Sequence, residues 1–494
     1  MDYCPKPSPY PSSSEQTTDH FSKYLTLQTP RCIANIPLFL FETYYGNVPA
    51  HVYKPGDIEA FDAADTNPDG PDQAWSVHRD TVGDVELQFT VRPRKIDITT
   101  PGGLIGGGRR FLPRPAAEDA AYRHVVQWDL SCAPGSTRAV WSLGEGPGAV
   151  SRVGGSMEMI NSFFMVGPIV SYPDEEIKVA DPGATIYWFG SLPENIRQLN
   201  AYSTKVFPKL AAFFQVPDSS YRVFIRQELR GFGRAPCVDT LLPHEMIHSF
   251  TMMGMEIANG YDDGWYIEGI AELYSAFLPY RFGLCGKKYL RERLSSTLTT
   301  YGTSPRIEID MLESQKDFHN DWYAELIPYA RGCAYLLQDD IVIDMGLRWR
   351  RGEQLLAKDW LKYLRPYFGE PRVTQEFQNM LIGKVLDLID AIVIHESRNL
   401  CAKTQEILEF GFDRSSIENR VVSGVVPGSR AALAGLADDD RTFFSASMDL
   451  VVEKGDANMH VSYWPQSFHK AKVWQLEESD DTRQSCLTEP REPS

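Results

Sequence analysis

The most informative segment of the sequence is Leu241-Leu-Pro-His244-Glu245-Met-Ile-His248-Ser-Phe250. Histidines four residues apart on a helix project from one face, so His244 and His248 can both reach one zinc ion. Glu245 directly follows the first histidine and is placed to accept a proton from a water on that metal. The alternative is a helix that turns its polar face to water. The apolar residues around the histidines instead predict a core helix, in which buried ionisable groups need a partner such as a metal.

A second segment, Gly264-Trp-Tyr-Ile-Glu268-Gly-Ile-Ala-Glu272-Leu-Tyr-Ser275, places two glutamates on one face of another amphipathic helix. Catalytic zinc takes three protein ligands and leaves one position open, so a third ligand must come from outside the histidine motif. Glu272 lies one turn after Glu268 and is suited to orient a ligand imidazole. A solvated surface carboxylate is the alternative for Glu272.

Together these segments resemble the zinc site of the glycyl-aminopeptidase family of gluzincin metallopeptidases, in which a glutamate on the next helix completes the site. The resemblance implies that Glu268 is the third ligand of one zinc ion per chain. It also implies that Tyr329 is the phenol that hydrogen-bonds the oxyanion of the tetrahedral intermediate. From the residues alone, Tyr329 would be interpreted as a helix-packing side chain. Further similar segments are Trp128-Asp-Leu-Ser131, Phe164-Met-Val-Gly-Pro168 and Ile327-Pro-Tyr329-Ala-Arg-Gly332.

One segment departs from the family pattern. Aminopeptidases of these families carry a glutamate on a glycine-rich strand before the zinc helix, where it binds the free amine of the substrate. The similar stretch, Arg230-Gly-Phe-Gly-Arg-Ala-Pro-Cys-Val-Asp239, has Arg234 or Ala235 near that place. Gly233 and Arg234 are expected to bind substrate, and Arg234 favours a carboxylate or an uncharged terminus over a free amine. Two alternatives stay open: Arg234 faces solvent, or Glu228 substitutes for the missing glutamate.

The whole chain is expected to be an α+β multidomain protein. Short apolar runs between Gly and Pro clusters predict a β-sandwich-like N-terminal domain, and apolar residues three and four apart predict a mostly helical part after it. The resemblance implies that this helical part is a thermolysin-like catalytic domain, followed by a degenerate PDZ-like domain. The predicted limits are a disordered N-terminus over 1–30, a β-rich domain over 31–190, the zinc catalytic domain over 191–400, the PDZ-like module over 401–476 and a disordered tail over 477–494.

Two other segments contain conspicuous glycines. Thr99-Thr-Pro-Gly-Gly-Leu-Ile-Gly-Gly-Gly108 lacks the G-K-[ST] of a phosphate loop and predicts a flexible loop.

The stretch from Val425 to Leu436 resembles the strand, turn and short helix of a PDZ domain, with Gly428 in the turn. Glu409-Phe-Gly-Phe412 lies upstream, where such domains carry their carboxylate-binding loop. A peptide C-terminus is therefore one expected ligand, and a module without a ligand is the alternative.

Composition excludes several classes of partner. The net charge of −17, from 66 acidic and 49 basic side chains, works against nucleic acid and anionic lipid. No apolar run approaches the roughly 20 residues that a membrane span needs. The eight cysteines form no C-x-x-C pair, and Met1 to Thr18 lacks the order of a secretory signal, so a cytoplasmic location with reduced thiols is expected.

The sequence therefore predicts an enzyme, a zinc-dependent metallohydrolase. It would cleave an amide or peptide bond of a peptide or small-molecule substrate with zinc-activated water, Glu245 acting as general base, as aminopeptidases do. Two hypotheses from other classes stay open. In one, the same zinc site serves a small non-peptide molecule, as in the related leukotriene hydrolase, and the missing amine anchor favours this. A non-catalytic PDZ-type scaffold is the other, and the presence of Glu245 and Tyr329 argues against it.

Overall fold

The protein is described by a computed structural model, in which the chain divides into two compact units. The first unit contains Met1–Thr204 and Asp218–Gly231, and the second contains Lys205–Pro217 and Phe232–Ser494. The residues that the structure describes are 21–27, 37–40, 44–45, 48–50, 53, 58–62, 65–66, 74–76, 79–91, 103–115, 121–131, 133–155, 157–173, 183–192, 194–225, 238–250, 263–337, 348, 351, 353, 355–386, 388, 400–413, 415–416, 420–444, 449–454 and 457–477.

The first unit is rich in β-strands, as predicted. Its described strands are β1 (Phe21–Leu27), β2 (Pro37–Leu40), β3 (Tyr44–Tyr45), β4 (Val48–Pro49), β5 (Ile58–Asp62), β6 (Asp65–Thr66), β7 (Ala74–Ser76), β8 (Val85–Val91), β9 (Leu104–Gly107), β10 (Arg114–Pro115), β11 (Ala121–Val126), β12 (Arg138–Trp141), β13 (Gly144–Glu145), β14 (Val150–Gly155), β15 (Phe163–Gly167), β16 (Ile169–Tyr172), β17 (Ala184–Phe189) and β18 (Tyr221–Phe224).

These strands form several small sheets instead of two large facing ones. The sheet orders among the described residues are β1-β8-β5-β6, β10-β2-β7, β3-β4, β11-β14, β13-β12-β15-β9 and β16-β17-β18. All pairs are antiparallel except β17 with β18. Side chains from four of these sheets, including Phe39, Leu87, Trp141 and Phe164, share one buried core. The predicted abundance of strands is confirmed, whereas the β-sandwich-like arrangement stays a prediction.

Two segments of this unit contain strands where the sequence analysis expected none. The N-terminal segment predicted to be disordered over 1–30 contains β1, which pairs antiparallel with β8 from Phe21 opposite Val91 to Leu27 opposite Val85. Residues 1–20 and 28–30 of that segment lie outside the described residues, as does the tail over 478–494.

The glycine-rich segment predicted to be a flexible loop contains β9, which pairs with β15. Its glycines allow close packing: a Cβ at Gly108 would lie 2.6 Å from the carbonyl oxygen of Met159. Glycine can therefore mark a site where other backbone approaches, as well as a site of flexibility.

Helices dominate the middle of the chain. Those in the described residues are α1 (Met157–Ile160), α2 (Glu194–Phe213), α3 (Val238–Ile247), α4 (Gly264–Arg281), α5 (Lys287–Thr303), α6 (Met311–Asp317), α7 (Trp322–Leu336), α8 (Ala357–Phe368), α9 (Glu370–Leu381) and α10 (Arg430–Leu433). No helix of the described residues combines the length and the apolar character that crossing a membrane requires.

The C-terminal part of the second unit contains two small antiparallel sheets, one that pairs Leu400–Leu408 with Gln466–Leu476 and one in which Asp449–Lys454 lies between Arg441–Phe444 and Ala457–Ser462. Gly428 has φ +76° in the turn before α10, and Ala431 of α10 is fully buried, as the sequence predicted. Phe410 and Phe412 pack into the same core as Ala431. The PDZ-like assignment itself and the predicted domain limits stay predictions. The strands are β19 (Leu400–Leu408), β20 (Arg441–Phe444), β21 (Asp449–Lys454), β22 (Ala457–Ser462) and β23 (Gln466–Leu476).

Candidate metal centre

Helix α3 carries the first histidine of the H-E-x-x-H motif, and the second directly follows the helix. Met246, Ile247 and Phe250 are fully buried, so this is the core helix that the apolar pattern predicted. His248 follows the last helical residue and keeps the spacing of one helical turn from His244. The two imidazole rings lie 4.8 Å apart between centroids and are nearly perpendicular. Both side chains are mostly buried, with 8% of His244 and 23% of His248 exposed.

Glu268 of α4 meets both histidines at one oxygen atom. Its Oε2 lies 3.2 Å from Nε2 of His244 and 3.5 Å from Nε2 of His248. One ligand atom from each of these three residues lies within 4.8 Å of the others. Two ligand atoms that are each about 2.0 to 2.2 Å from a tetrahedral zinc are about 3.3 to 3.6 Å apart. The two Nε2–Oε2 distances therefore match the edge of a tetrahedral site, and the donor set of two imidazoles and a carboxylate suits zinc.

The charges in this cluster are strongly coupled. Burial opposes ionisation of Glu268, but its hydrogen bonds to His244 and His248 outweigh burial and lower its pKa to about 2. Burial likewise opposes protonation of His244, yet Glu268 and Glu272 together raise the pKa of this imidazole. Such a cluster attracts positive charge, and a divalent cation can supply it without protonating the ring.

A pair of glycines brings α7 close to α4. A Cβ at Gly332 would overlap the carbonyl oxygen of Trp265, and a Cβ at Gly269 would overlap the backbone of Gly332. Gly269 directly follows Glu268, and Gly332 lies one helical turn after Tyr329. The close backbone contact thus sets Glu268 and Tyr329 side by side. The sequence contained both glycines in its motifs, but their contact with each other was not predicted.

The Tyr329 ring stacks on one of the candidate metal ligands. It stacks on His244 with ring centroids 5.6 Å apart and an interplanar angle of 16°. Burial, the charge of Glu268 and a hydrogen bond to Glu268 all raise the pKa of this phenol far above its usual value. Tyr329 therefore keeps its proton and can donate it in a hydrogen bond.

The remaining predicted site residues divide into two groups. Glu245 is exposed on α3, and its charge helps to raise the pKa of both His244 and Tyr329. Glu272 lies on the other side of His244, with Oε1 3.6 Å from Nδ1 of that ring. These two join the cluster, whereas Gly233 and Arg234 lie outside the described residues, together with Glu228 and the glycine-rich stretch up to Cys237.

Arg331 shows that part of the Tyr329 motif is structural. Its side chain is fully buried and donates hydrogen bonds to the carbonyl oxygens of Ile307, at 2.6 Å, and Met380, at 3.5 Å. Burial lowers the pKa of this guanidinium. Arg331 thus anchors α7 to the loop before α6 and to the end of α9. The motif combines a residue at the metal centre, Tyr329, with two that hold its helix, Arg331 and Gly332.

The comparisons with known proteins support this fold. No protein-family model and no curated protein matches the sequence. An aminopeptidase N family protein from Idiomarina loihiensis has a similar structure, with a TM-score of 0.63, 13% identity, and 97% of this chain and 98% of that chain covered. This chain has the aminopeptidase N fold. The likeness extends over nearly the whole length of both chains. An M1 zinc metallopeptidase from Deinococcus radiodurans is less similar, with a TM-score of 0.47, 15% identity, and 78% and 93% covered.

Proposed function

We propose that this chain is a zinc-dependent metallohydrolase that cleaves amide bonds in peptides, with one zinc ion per chain. The observation that carries the proposal is the meeting of His244 Nε2 and His248 Nε2 at Oε2 of Glu268, at distances that suit a tetrahedral ion. Three protein donors leave a fourth position for water or substrate, which is the arrangement of catalytic zinc sites. The aminopeptidase N fold supports a peptidase over other hydrolases.

The chemistry divides between the ion and the protein. Zinc held by His244, His248 and Glu268 would polarise the scissile carbonyl and make a water acidic enough to lose its proton near neutral pH. Glu245 would accept that proton, because it directly follows the first ligand in the sequence and its carboxylate is exposed. It then returns the proton to the leaving amine.

Tyr329 acts where negative charge develops. Its hydroxyl is protonated and hydrogen-bonded to Glu268, and with substrate bound it would donate instead to the oxyanion formed from the carbonyl. The stacking of its ring on His244 and on Phe318 fixes the direction of the hydroxyl. An oxyanion donor must be held in place before charge appears, and a ring packed on two sides meets that requirement.

The experiment combines a metal assay with a substrate panel. Bound zinc is counted by elemental analysis, and turnover is followed with fluorogenic aminoacyl, blocked and internal peptide substrates, for the wild type, Glu245→Gln and His248→Ala. We expect about one zinc per chain in the wild type and in Glu245→Gln, with turnover lowered by about 10² to 10⁴ in Glu245→Gln. His248→Ala should lose both zinc and turnover.

The substrate preference tests the remaining hypotheses. Cleavage of free-amine substrates supports an aminopeptidase, whereas a preference for blocked or carboxylate-bearing substrates supports the predicted role of Arg234. Zinc without turnover of any peptide favours a small non-peptide substrate. Absence of zinc from the wild type overturns the metallohydrolase proposal.

A separate binding role for the C-terminal part has less support. In a PDZ-type loop the backbone N–H groups receive the peptide carboxylate. In this chain the N–H of Phe410 already donates to the hydroxyl of Tyr323 at 3.1 Å. We therefore propose that this part stabilises the helical domain, and that the substrate is the chain's principal partner.

A further inference from the structure

Glu272 is engaged at both of its carboxylate oxygens. Its Oε1 lies 3.6 Å from Nδ1 of His244. Its Oε2 accepts a hydrogen bond from Oγ1 of Thr297 at 3.2 Å and lies 3.7 Å from Nη2 of Arg293. The side chain is mostly buried, with 19% exposed. Glu272 therefore bridges a histidine of α3 and two residues of α5.

His244 needs an acceptor at this place. Its Nδ1 is buried and makes no hydrogen bond at normal distance, while its Nε2 faces Glu268. An imidazole whose Nε2 lone pair goes to a metal must carry its proton on Nδ1, and a carboxylate that accepts this proton fixes both tautomer and ring direction. A shift of Oε1 by about 0.5 Å would bring the pair to hydrogen-bond distance.

Helix α5 determines where that carboxylate points. Thr297 lies four residues after Arg293, so both face α4 from one side of α5. The Thr297 hydroxyl donates to Oε2, and the Arg293 guanidinium places positive charge beside the same atom. Because a carboxylate is planar and rigid, fixing Oε2 also fixes Oε1. Without these two contacts, water would compete for Oε2 and the carboxylate could turn away from His244.

We propose that Thr297 and Arg293 are positioning residues of the metal centre, which hold Glu272 so that His244 presents Nε2 to the ion. The proposal rests on zinc binding as proposed above. His248 has no such support in the part of the chain that the structure describes, since its Nδ1 is buried without a hydrogen bond. The two histidines are therefore unequal, and the α5 residues act on only one of them.

Zinc affinity measured by chelator competition tests this role without relying on turnover. We expect Glu272→Ala to weaken zinc binding by about 10-fold to 100-fold, the usual range for partners of ligand histidines, and Thr297→Val and Arg293→Met to weaken it by a smaller factor. Thr297→Ser keeps the hydroxyl and should restore affinity. The controls lie on the same helix: Thr300→Val makes the same substitution, and Lys288→Met removes a charge whose contact is with the exposed Glu292.

A double-mutant cycle with Glu272→Ala shows whether Thr297 affects zinc binding through Glu272. If Thr297 acts through Glu272, adding Thr297→Val to Glu272→Ala should change the zinc affinity no further. Chemical denaturation of the metal-free variants measures their free energies of unfolding. We expect each variant to lose more zinc-binding free energy than unfolding free energy.

The two proposals fail in different ways. A wild type that binds zinc, with the affinity unchanged in Thr297→Val and in Arg293→Met, overturns the positioning role alone. Additive effects in the cycle with Glu272→Ala overturn it too. A wild type that binds no zinc overturns the proposed function and the positioning role together.

Discussion

The metal centre and the Glu409–Phe412 loop differ in what their polar groups contact, although short motifs pointed to both. At the metal centre, two imidazole nitrogens meet at one carboxylate oxygen, and Nδ1 of His248 makes no hydrogen bond. In the loop, the Phe410 N–H donates to Tyr323, and its carbonyl oxygen accepts from the hydroxyl of Tyr463 at 2.6 Å. A motif locates candidate groups, but their neighbours determine whether those groups remain available for a ligand.

The two regions also differ in how their polar groups affect the stability of the fold. Ionisable groups brought together out of water destabilise a fold unless an ion or a proton compensates them. Backbone groups that find partners inside the fold stabilise it by a modest amount. Changes at the metal centre should therefore remove metal and activity, whereas changes at the loop should lower stability and leave the metal in place.

The largest expected effect is loss of metal from the ligand variants. His248→Ala and Glu268→Ala each remove one of three donors, so zinc affinity should fall by more than about 100-fold, beyond the range for outer partners of the ligands. Elemental analysis after dialysis against a chelator measures this. Glu409→Gln in the loop is the matched control and should retain zinc. Equal zinc content in all four proteins, wild type included, would remove the distinction between the two regions.

Next comes Tyr329→Phe, which removes only a hydroxyl at the metal centre. Turnover should fall by about 10² to 10³ while zinc content stays the same, since one oxyanion donor is lost. The ring can still stack on His244, so the unfolding transition should move little. Steady-state kinetics with the best peptide of the panel provide the measurement, and Tyr335→Phe, buried further along α7, is the control. An unchanged turnover would assign Tyr329 to packing.

Gly332→Ala tests the contact that joins the metal centre to α7. The added methyl would overlap the carbonyl of Trp265, so α4 and α7 must separate and the variant should lose about 1 to 3 kcal/mol of unfolding free energy. Gly286→Ala is the control, because nothing lies within 4 Å of its Cβ position. Chemical denaturation of both variants gives the comparison. Equal stability would mean that the helices can adjust without cost.

The sequence predicts the metal centre best where the information is local. His244, Glu245 and His248 lie within one helical turn, so their spacing alone indicates a metal motif. Glu268 and Tyr329 come from other helices, and the family resemblance supplied their roles. Thr297 and Arg293 carried no sequence signal that we used, because they reach Glu272 only through the packing of α5 against α4.

The errors in the fold have a similar cause. Leu104–Gly107 was expected to be a loop because glycine is usually a sign of flexibility, but this segment pairs with β15 as strand β9. The pairing of β1 with β8 joins segments about sixty residues apart, and local composition suggested only a polar terminus. Contacts of this kind depend on tertiary neighbours, which local patterns do not encode.

The smallest expected effect is that of Tyr323→Phe in the contact between α7 and the loop. The Tyr323 hydroxyl accepts the hydrogen bond of the Phe410 N–H, while its ring and that of Trp322 pack against Phe410. Removing the hydroxyl keeps the packing and leaves one backbone N–H without its partner, so unfolding free energy should fall by about 1 kcal/mol. Zinc content and turnover should not change, since Tyr329 lies more than one turn further along α7. Tyr463→Phe removes the hydroxyl that donates to the Phe410 carbonyl and should have an effect of similar size.

Titration with a peptide that has a free C-terminal carboxylate completes the test. If the Tyr323→Phe variant binds this peptide and the wild type does not, the loop is a carboxylate site that the Tyr323 hydroxyl blocks in the wild type. If neither protein binds the peptide and stability falls as expected, the loop only stabilises the fold. The metal centre then binds a ligand and the loop does not.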